Sequence, residues 1–285
     1  MQLTNRLNLP DALVNAVKND SYDNGGAWRS VTGLLKPPRA AALEQLHKDE
    51  LSEDVAERLF ALYGQIVHGI LERANGCTNT ITEKRLFMEV MGKRISGQFD
   101  SIDIKNGHLV DWKFSTAWKA KGGAPIEWVE QCNLLAVLLR ANGVEVKSAG
   151  IGLLMRDHSK LEALRSHDYP QLPVAMIEIP LWSPEKQNEF MMGRVKAHLA
   201  AEKELPLCTS EERWAKTTVY AVMKEGRKSS VRNFENVVEA DLLSKHLGGG
   251  HSVVVRPGES IRCKAYCRSA PWCLQWKAMR ETNGH

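Results

Sequence analysis

Two carboxylates and an amine lie close together in the stretch GQFDSIDIKNGHLVDWK, from Gly97 to Lys113: Asp100, Asp111 and Lys113. Such a set suits hard-cation chemistry. Carboxylate oxygens hold Mg²⁺ or Mn²⁺ weakly until substrate phosphates complete the shell. A neighbouring ammonium can orient water or stabilise charge growing on a phosphate. The stretch reads as two short strands joined by a two-residue loop at Asn106-Gly107, since both residues of such a loop sit at positive φ. That register pairs Lys105 with His108 and Ile102 with Asp111, and sets Asp100 opposite Lys113. Alternation along the strand then puts Asp111 and Lys113 on one face, with Asp100 diagonal to Asp111. Leu109, Val110, Trp112 and Phe114 make the second strand read as buried on both faces, and buried charge needs a partner or a metal. The plainer alternative is a surface hairpin with ordinary salt bridges.

The elements that must position these groups follow from patterning. Residues 1 to 60 read as a helical lead-in: a short helix after Pro10-Asp11, a turn-rich loop from Asp20 to Gly26, and a helix from Arg39 to His47. Arg29, Lys36 and Arg39 could line a nucleic-acid channel or simply be solvated. A helix is predicted from Ser52, with Glu53 and Asp54 in its first turn, to about Ala74. It carries His68, with Gly64 and Glu72 on the same face, and its glycines hint at a close backbone approach. Strands are predicted up to Val90 and from Arg94 to Ile104, turning at Gly92-Lys93. A helix from about Pro125 to Asn142 carries Gln131, and two strands at 148–155 and 174–181 precede a helix capped by Ser183-Pro184. The order is helix, three strands, helix, two strands, helix, an α/β core with a mixed sheet flanked by helices.

On these residues the chain resembles a known family. Gly-Gln-Phe-Asp100 followed by Asp111-Trp112-Lys113 is similar to the PD-(D/E)XK nuclease motif, and Gly64-Gln-Ile-Val-His68 resembles the GxxxH element of its RecB-like exonuclease branch. Gln131 is similar to the glutamine of the branch's QxxxY element, although Leu135 stands at the tyrosine position. The likeness spans about Ala61 to Ala200. It implies a restriction-endonuclease-like core in which Asp100, Asp111, His68 and the carbonyl of Trp112 hold Mg²⁺ or Mn²⁺. Lys113 then assists the attacking water, and Gln131 positions DNA. It further implies exonuclease action on single strands or duplex ends. The region from Trp28 to His68 is similar to small bacteriophage nucleases, which implies phage recombination or DNA processing, with a recombination protein as a possible partner.

The last third carries a second signal. Cys208 is followed at a distance by Cys263, Cys267 and Cys273 in CKAYCRSAPWC. Four thiolates suit a [4Fe-4S] cluster or Zn²⁺, and local spacing does not separate the two. The arrangement resembles iron-sulfur members of the RecB-like branch, including the exonucleases of CRISPR adaptation, which implies a structural [4Fe-4S] cluster. Cys77 and Cys132 read as small apolar residues. An insert between the cysteines, with strands near 220–224 and 253–256 around a helix at 237–247, is locally basic. Lys119 and Lys121, after the motif, and Arg227 and Lys228, in the insert, are candidate DNA contacts. Three segments are expected: a lead-in at 1–60, a nuclease core at 61–202 and a cluster-binding region at 203–285.

Composition limits the alternatives. A chain of 285 residues, 43% hydrophobic and 25% charged, is that of a globular protein. Its net charge of +4 permits a polyanionic partner without requiring one. No apolar run is long enough for a membrane span and no signal-peptide pattern is present, so a cytoplasmic location is expected in a bacterial or phage-infected cell, where thiols stay reduced. The competing reading is a catalytically impaired or zinc-stapled DNA-binding protein of the same fold.

Overall fold

The computed structural model describes residues 2–19, 23–74 and 79–283. Cys77 and the start of the loop predicted from Asp20 lie outside the described residues. The elements run β1 (Gln2–Thr4), α1 (Asp11–Lys18), β2 (Arg29–Ser30), α2 (Val31–Leu35), α3 (Pro38–Leu46), β3 (Ser52–Asp54) and α4 (Leu59–Leu71). Then come β4 (Thr80–Val90), β5 (Lys93–Asp103), β6 (His108–Ser115), α5 (Ile126–Ala141), β7 (Ser148–Met155), α6 (Lys160–Arg165), β8 (Val174–Ile179) and α7 (Pro184–Ala201). β9 (Val219–Lys224), β10 (Arg232–Phe234), α8 (Val237–Leu247), β11 (His251–Arg256), α9 (Ile261–Ala265) and α10 (Leu274–Asn283) complete the chain. They form two compact units, Met1–Lys36 with Lys48–Lys203, and Pro37–His47 with Glu204–His285. The predicted lead-in of residues 1 to 60 is thus divided, with α3 belonging to the second unit.

The first unit is built on a mixed sheet ordered β2-β5-β6-β7-β8, with β4 also on β5. β2 with β5 and β6 with β7 are parallel, and the other pairs are antiparallel. Helices flank it, and α5 supplies a run of buried residues from Cys132 to Leu139 to the core around Ile95, Phe99, Leu109, Ile151 and Leu153. Gly97 on β5 is where this packing is closest. A Cβ there would lie 2.9 Å from Leu138 Cδ2 and 3.0 Å from both Leu135 Cδ2 and Val31 Cγ2.

β5 organises the rest. β4 pairs along nearly its whole length on one edge. The other edge is shared: β2 takes Ile95 and Ser96, and β6 takes Ser101 to Asp103. Residues 97–100 are left between them without a strand partner on that edge, and there the sheet opens into a cleft.

Both turns differ from the sequence reading. The β5–β6 loop spans four residues, 104–107, because Asp103 pairs with His108. Only Gly107 in it has positive φ, 67°. The Asp103 carboxylate accepts from the backbone N–H groups of Lys105 (2.9 Å) and Asn106 (3.1 Å), a local cap that favours the longer loop. Asp100 therefore comes opposite Asp111 rather than opposite Lys113. The β4–β5 turn is Met91-Gly92, both at positive φ, with Val90 paired to Lys93. The predicted helix start at Ser52 is also displaced. Ser52–Asp54 pairs with Gln2–Thr4 as a parallel strand, and Asp54 caps a short 3₁₀ turn, Val55–Arg58, with Glu57 completing a capping box. Among the described residues nothing outside the helix lies within 4 Å of where a Cβ would sit on Gly64 or Gly69 of α4, so the close backbone approach expected there is not seen. β6 is buried on one side, through Leu109 and Asp111, while Phe114 on the other is 37% exposed.

In the second unit β9 lies between β10 and β11, all antiparallel, with α8 against them. No helix among the described residues is long and apolar enough to cross a membrane.

Candidate functional site

The cleft beside residues 97–100 is a cavity of about 740 Å³, and His68, Glu83, Arg85, Gln98, Asp100, Asp111, Lys113 and Gln131 are among its lining. Three of these form one donor group. His68 Nδ1 lies 2.9 Å from Glu83 Oε1 and 3.5 Å from Asp100 Oδ1. One ligand atom from each lies within 4.8 Å of the others. Asp100 Oδ2 accepts from the backbone N–H of Trp112 at 2.6 Å. The carboxylate thereby takes over a backbone donor just past the point where β5 and β6 cease to pair.

Glu83 was not among the residues singled out from sequence. It sits in β4 opposite Asp100, between the pairs Thr82–Ser101 and Lys84–Phe99, and the register is the same on both sides of it. Its φ is +49°, a left-handed conformation costing roughly 1–3 kcal/mol for such a residue. Two contacts hold the side chain there: His68, and Gln98 Nε2, which donates to Glu83 Oε2 at 2.8 Å. Arg85 in turn donates to Gln98 Oε1 at 2.8 Å, fixing the amide's orientation.

Beside this group is a closed ring of three side chains. Lys113 Nζ lies 2.7 Å from Asp111 Oδ2 and donates to Gln131 Oε1 at 2.9 Å. Gln131 Nε2 donates to Asp111 Oδ1 at 2.8 Å. Gln131 thus holds both charged partners in place. Apart from the Lys113 ammonium, the buried Asp111 Oδ2 has no hydrogen-bond partner among the described residues.

The electrostatics follow from crowding acids out of water. Burial, then the charge of Asp111, pushes the Asp100 carboxyl up to about 7, although His68, the Trp112 N–H and Lys113 pull it down. The hydrogen bond that His68 donates to Glu83 is the main cause raising it, against the cost of burial. For Lys113, burial lowers and Asp111 raises, and the ion pair wins, so the ammonium keeps its proton. Hard oxygens with one imidazole, an under-used buried carboxylate oxygen and an acid held near neutrality fit a divalent cation. The backbone of Trp112 touches the same carboxylate through its N–H.

Other expected contacts lie elsewhere. Lys119 Nζ rests over the rings of Trp118 (5.0 Å) and Trp128 (5.8 Å), and neither Lys119 nor Lys121 lines the cavity. Arg227 and Lys228 are exposed in the second unit. Leu135, at the position of the family tyrosine, is 2% exposed and packs towards Gly97.

The second unit gathers the four cysteines. Burial pushes the Cys208 thiol up to about 12, with further repulsion from Glu212 and then from Cys273, Cys263 and Cys267. Cys263 is raised by burial, then by Cys267 and Cys273. Gln275 clasps the backbone of Cys208 through both its amide atoms, at 2.8 and 2.9 Å. Among the described residues, no three of these sulfurs come within 4.8 Å of one another. Cys132 is apart from them, fully buried in the core of the first unit.

No family model matches this chain, and no curated protein matches it. Among solved structures it is similar to SSO0001, at 17% identity and a TM-score of 0.46, over 71% of this chain and 88% of that one.

Proposed function

We propose that this chain is a Mg²⁺- or Mn²⁺-dependent deoxyribonuclease with a restriction-endonuclease-like core of the PD-(D/E)XK, RecB-like type. It hydrolyses phosphodiester bonds at DNA ends in phage recombination or DNA processing. The observation that carries the reading is the convergence of His68, Glu83 and Asp100 beside the Asp111–Lys113–Gln131 ring in one cleft. His68, Glu83 and Asp100, with a carboxylate oxygen of Asp111, would hold the metal. Bound there, it supplies Lewis acidity towards a phosphoryl oxygen and makes water more acidic.

The remaining roles belong to the protein's own groups. Lys113 retains its proton, so it acts as a fixed positive charge that orients water and stabilises charge on the phosphate, not as a base. Asp111 and Gln131 set its position, which is where orientation contributes to rate. Arg85, at the cavity wall, offers a further cation to a phosphate. The four cysteines are read as ligands of a structural [4Fe-4S] cluster. The preference for iron-sulfur over zinc comes from the resemblance to iron-sulfur members of the RecB-like branch, and the mutual repulsion of Cys208 with Cys273, Cys263 and Cys267 is compatible with either.

The test uses protein purified without oxygen. Wild type is expected to release nucleotides from linear DNA with Mn²⁺, and Lys113→Ala to lose cleavage by roughly 10²–10³-fold. A closed circular single strand should resist. A folded wild type inert with both metals, or a fully active Lys113→Ala, would end the proposal.

A further inference from the structure

Sequence alone makes Arg39 a candidate for a nucleic-acid channel, yet it is only 6% exposed. It stands in the first turn of α3. Its Nε–H donates to Cys273 Sγ at 3.3 Å, and its Nη1 donates to the carbonyls of Leu205 (3.3 Å) and Pro206 (3.2 Å). Among the described residues no carboxylate pairs with it. A guanidinium stays protonated at any accessible pH, and taking it out of water without an anion is strongly unfavourable. The group beside it able to carry negative charge is the sulfur of Cys273.

The far end of the same helix is docked as well. His47, its C-cap residue, stacks on Trp272 with ring centroids 4.5 Å apart and an 8° angle between planes. A segment made far earlier in the chain therefore packs against the residues around Cys273 and aims its one buried cation there.

We propose that Arg39 is the built-in counter-charge of a metal centre held by Cys208, Cys263, Cys267 and Cys273, and that it positions Cys273. The inference rests on reading those cysteines as metal ligands. Four thiolates on one Zn²⁺, or on an oxidised [4Fe-4S] core, leave net negative charge. A buried guanidinium stabilises that charge and orients the ligand bearing it, as outer-shell partners do at metal sites. An N–H···S hydrogen bond with positive charge also favours the reduced form of a cluster, raising its potential.

The experiment compares full-length wild type, Arg39→Lys, Arg39→Gln and Arg39→Met, purified without oxygen. Iron, acid-labile sulfide and zinc are counted, and circular dichroism checks the fold. Cluster potential is titrated by visible absorbance, and a zinc form is followed by the rate of metal release to a chelator. Arg39→Lys, which keeps the charge, should stay closest to wild type. Arg39→Gln, folded but neutral, should shift to lower potential or release zinc several-fold faster, and Arg39→Met should lose most of its metal. Equal metal content with unchanged potential or release in Arg39→Gln and Arg39→Met removes the role of Arg39 alone. A folded wild type holding neither iron nor zinc removes the thiolate centre itself, and this proposal with it, without touching the nuclease reading of the first unit.

Discussion

Metal affinity at the cleft should depend on pH in a way set by Asp100. With its carboxyl held near 7, the fraction ionised falls from about 90% at pH 8 to about 10% at pH 6. Only the ionised form binds a cation, so the apparent Mn²⁺ affinity should weaken about tenfold over that interval from this residue alone. His68, raised by Glu83, must also be deprotonated to bind, so its proton steepens the fall. The perturbation that isolates the cause is Asp111→Asn. It removes the neighbouring charge that, after burial, does most to raise Asp100, and the midpoint of the pH dependence should move lower. Calorimetric Mn²⁺ titrations in two buffers of different ionisation enthalpy give affinity and protons released together. Affinity that is flat from pH 6 to 8, or a midpoint unmoved in Asp111→Asn, refutes the account of the site as acids crowded out of water.

The same crowding should cost stability when no metal is present. Asp100 has a folded pKa near 7 against an ordinary value of 3.8, so between those values the unfolded chain has lost a proton that the folded one keeps. Stability therefore falls as pH rises through this window. Asp100→Asn should stabilise metal-free protein at pH 8 by about 4 kcal/mol in urea melts while abolishing cleavage. His198 runs the opposite way. It is buried, its Nε2 bonds the Leu34 carbonyl at 2.9 Å, and burial lowers it to about 4. Below its unfolded value of 6.5 the unfolded chain binds the extra proton, so wild type should lose about 3 kcal/mol as pH falls from 6.5 towards 4. His198→Gln should flatten that acid limb. Gly97→Ala forces a Cβ to within 3.0 Å of Leu138, Leu135 and Val31, and thermal melts should show a loss of about 1–3 kcal/mol.

The order of helices and strands in the first unit is legible from patterning, because α5 and β7 carry long, nearly continuous apolar runs. Asp100, Asp111 and Lys113 are legible from type and spacing, whereas His68 and Gln131 are singled out by the family resemblance. Glu83 was hidden by a turn. Taking Gly92-Lys93 as the loop sets Glu83 opposite Ile102, whereas the actual Met91-Gly92 loop sets it opposite Asp100. Moving the loop by one residue thus moved the missing carboxylate two places along its partner strand. Methionine at positive φ is not something propensity anticipates. The Asp103 cap misled in the same way at the second turn. Arg39 was illegible for another reason: its partners lie at residues 205, 206 and 273, and nothing local marks a long-range contact.

The discontinuity of the second unit bears on the order of events during synthesis. α3 leaves the ribosome well before the residues it packs with in the second unit. Until Cys273 emerges, Arg39 has no sulfur to face, so the proposed thiolate centre cannot close on a chain that stops short of Cys273. With a metal bound as proposed, loading would report that synthesis has passed Cys273, and intermediates stalled before it should hold no metal there however well their first unit has folded.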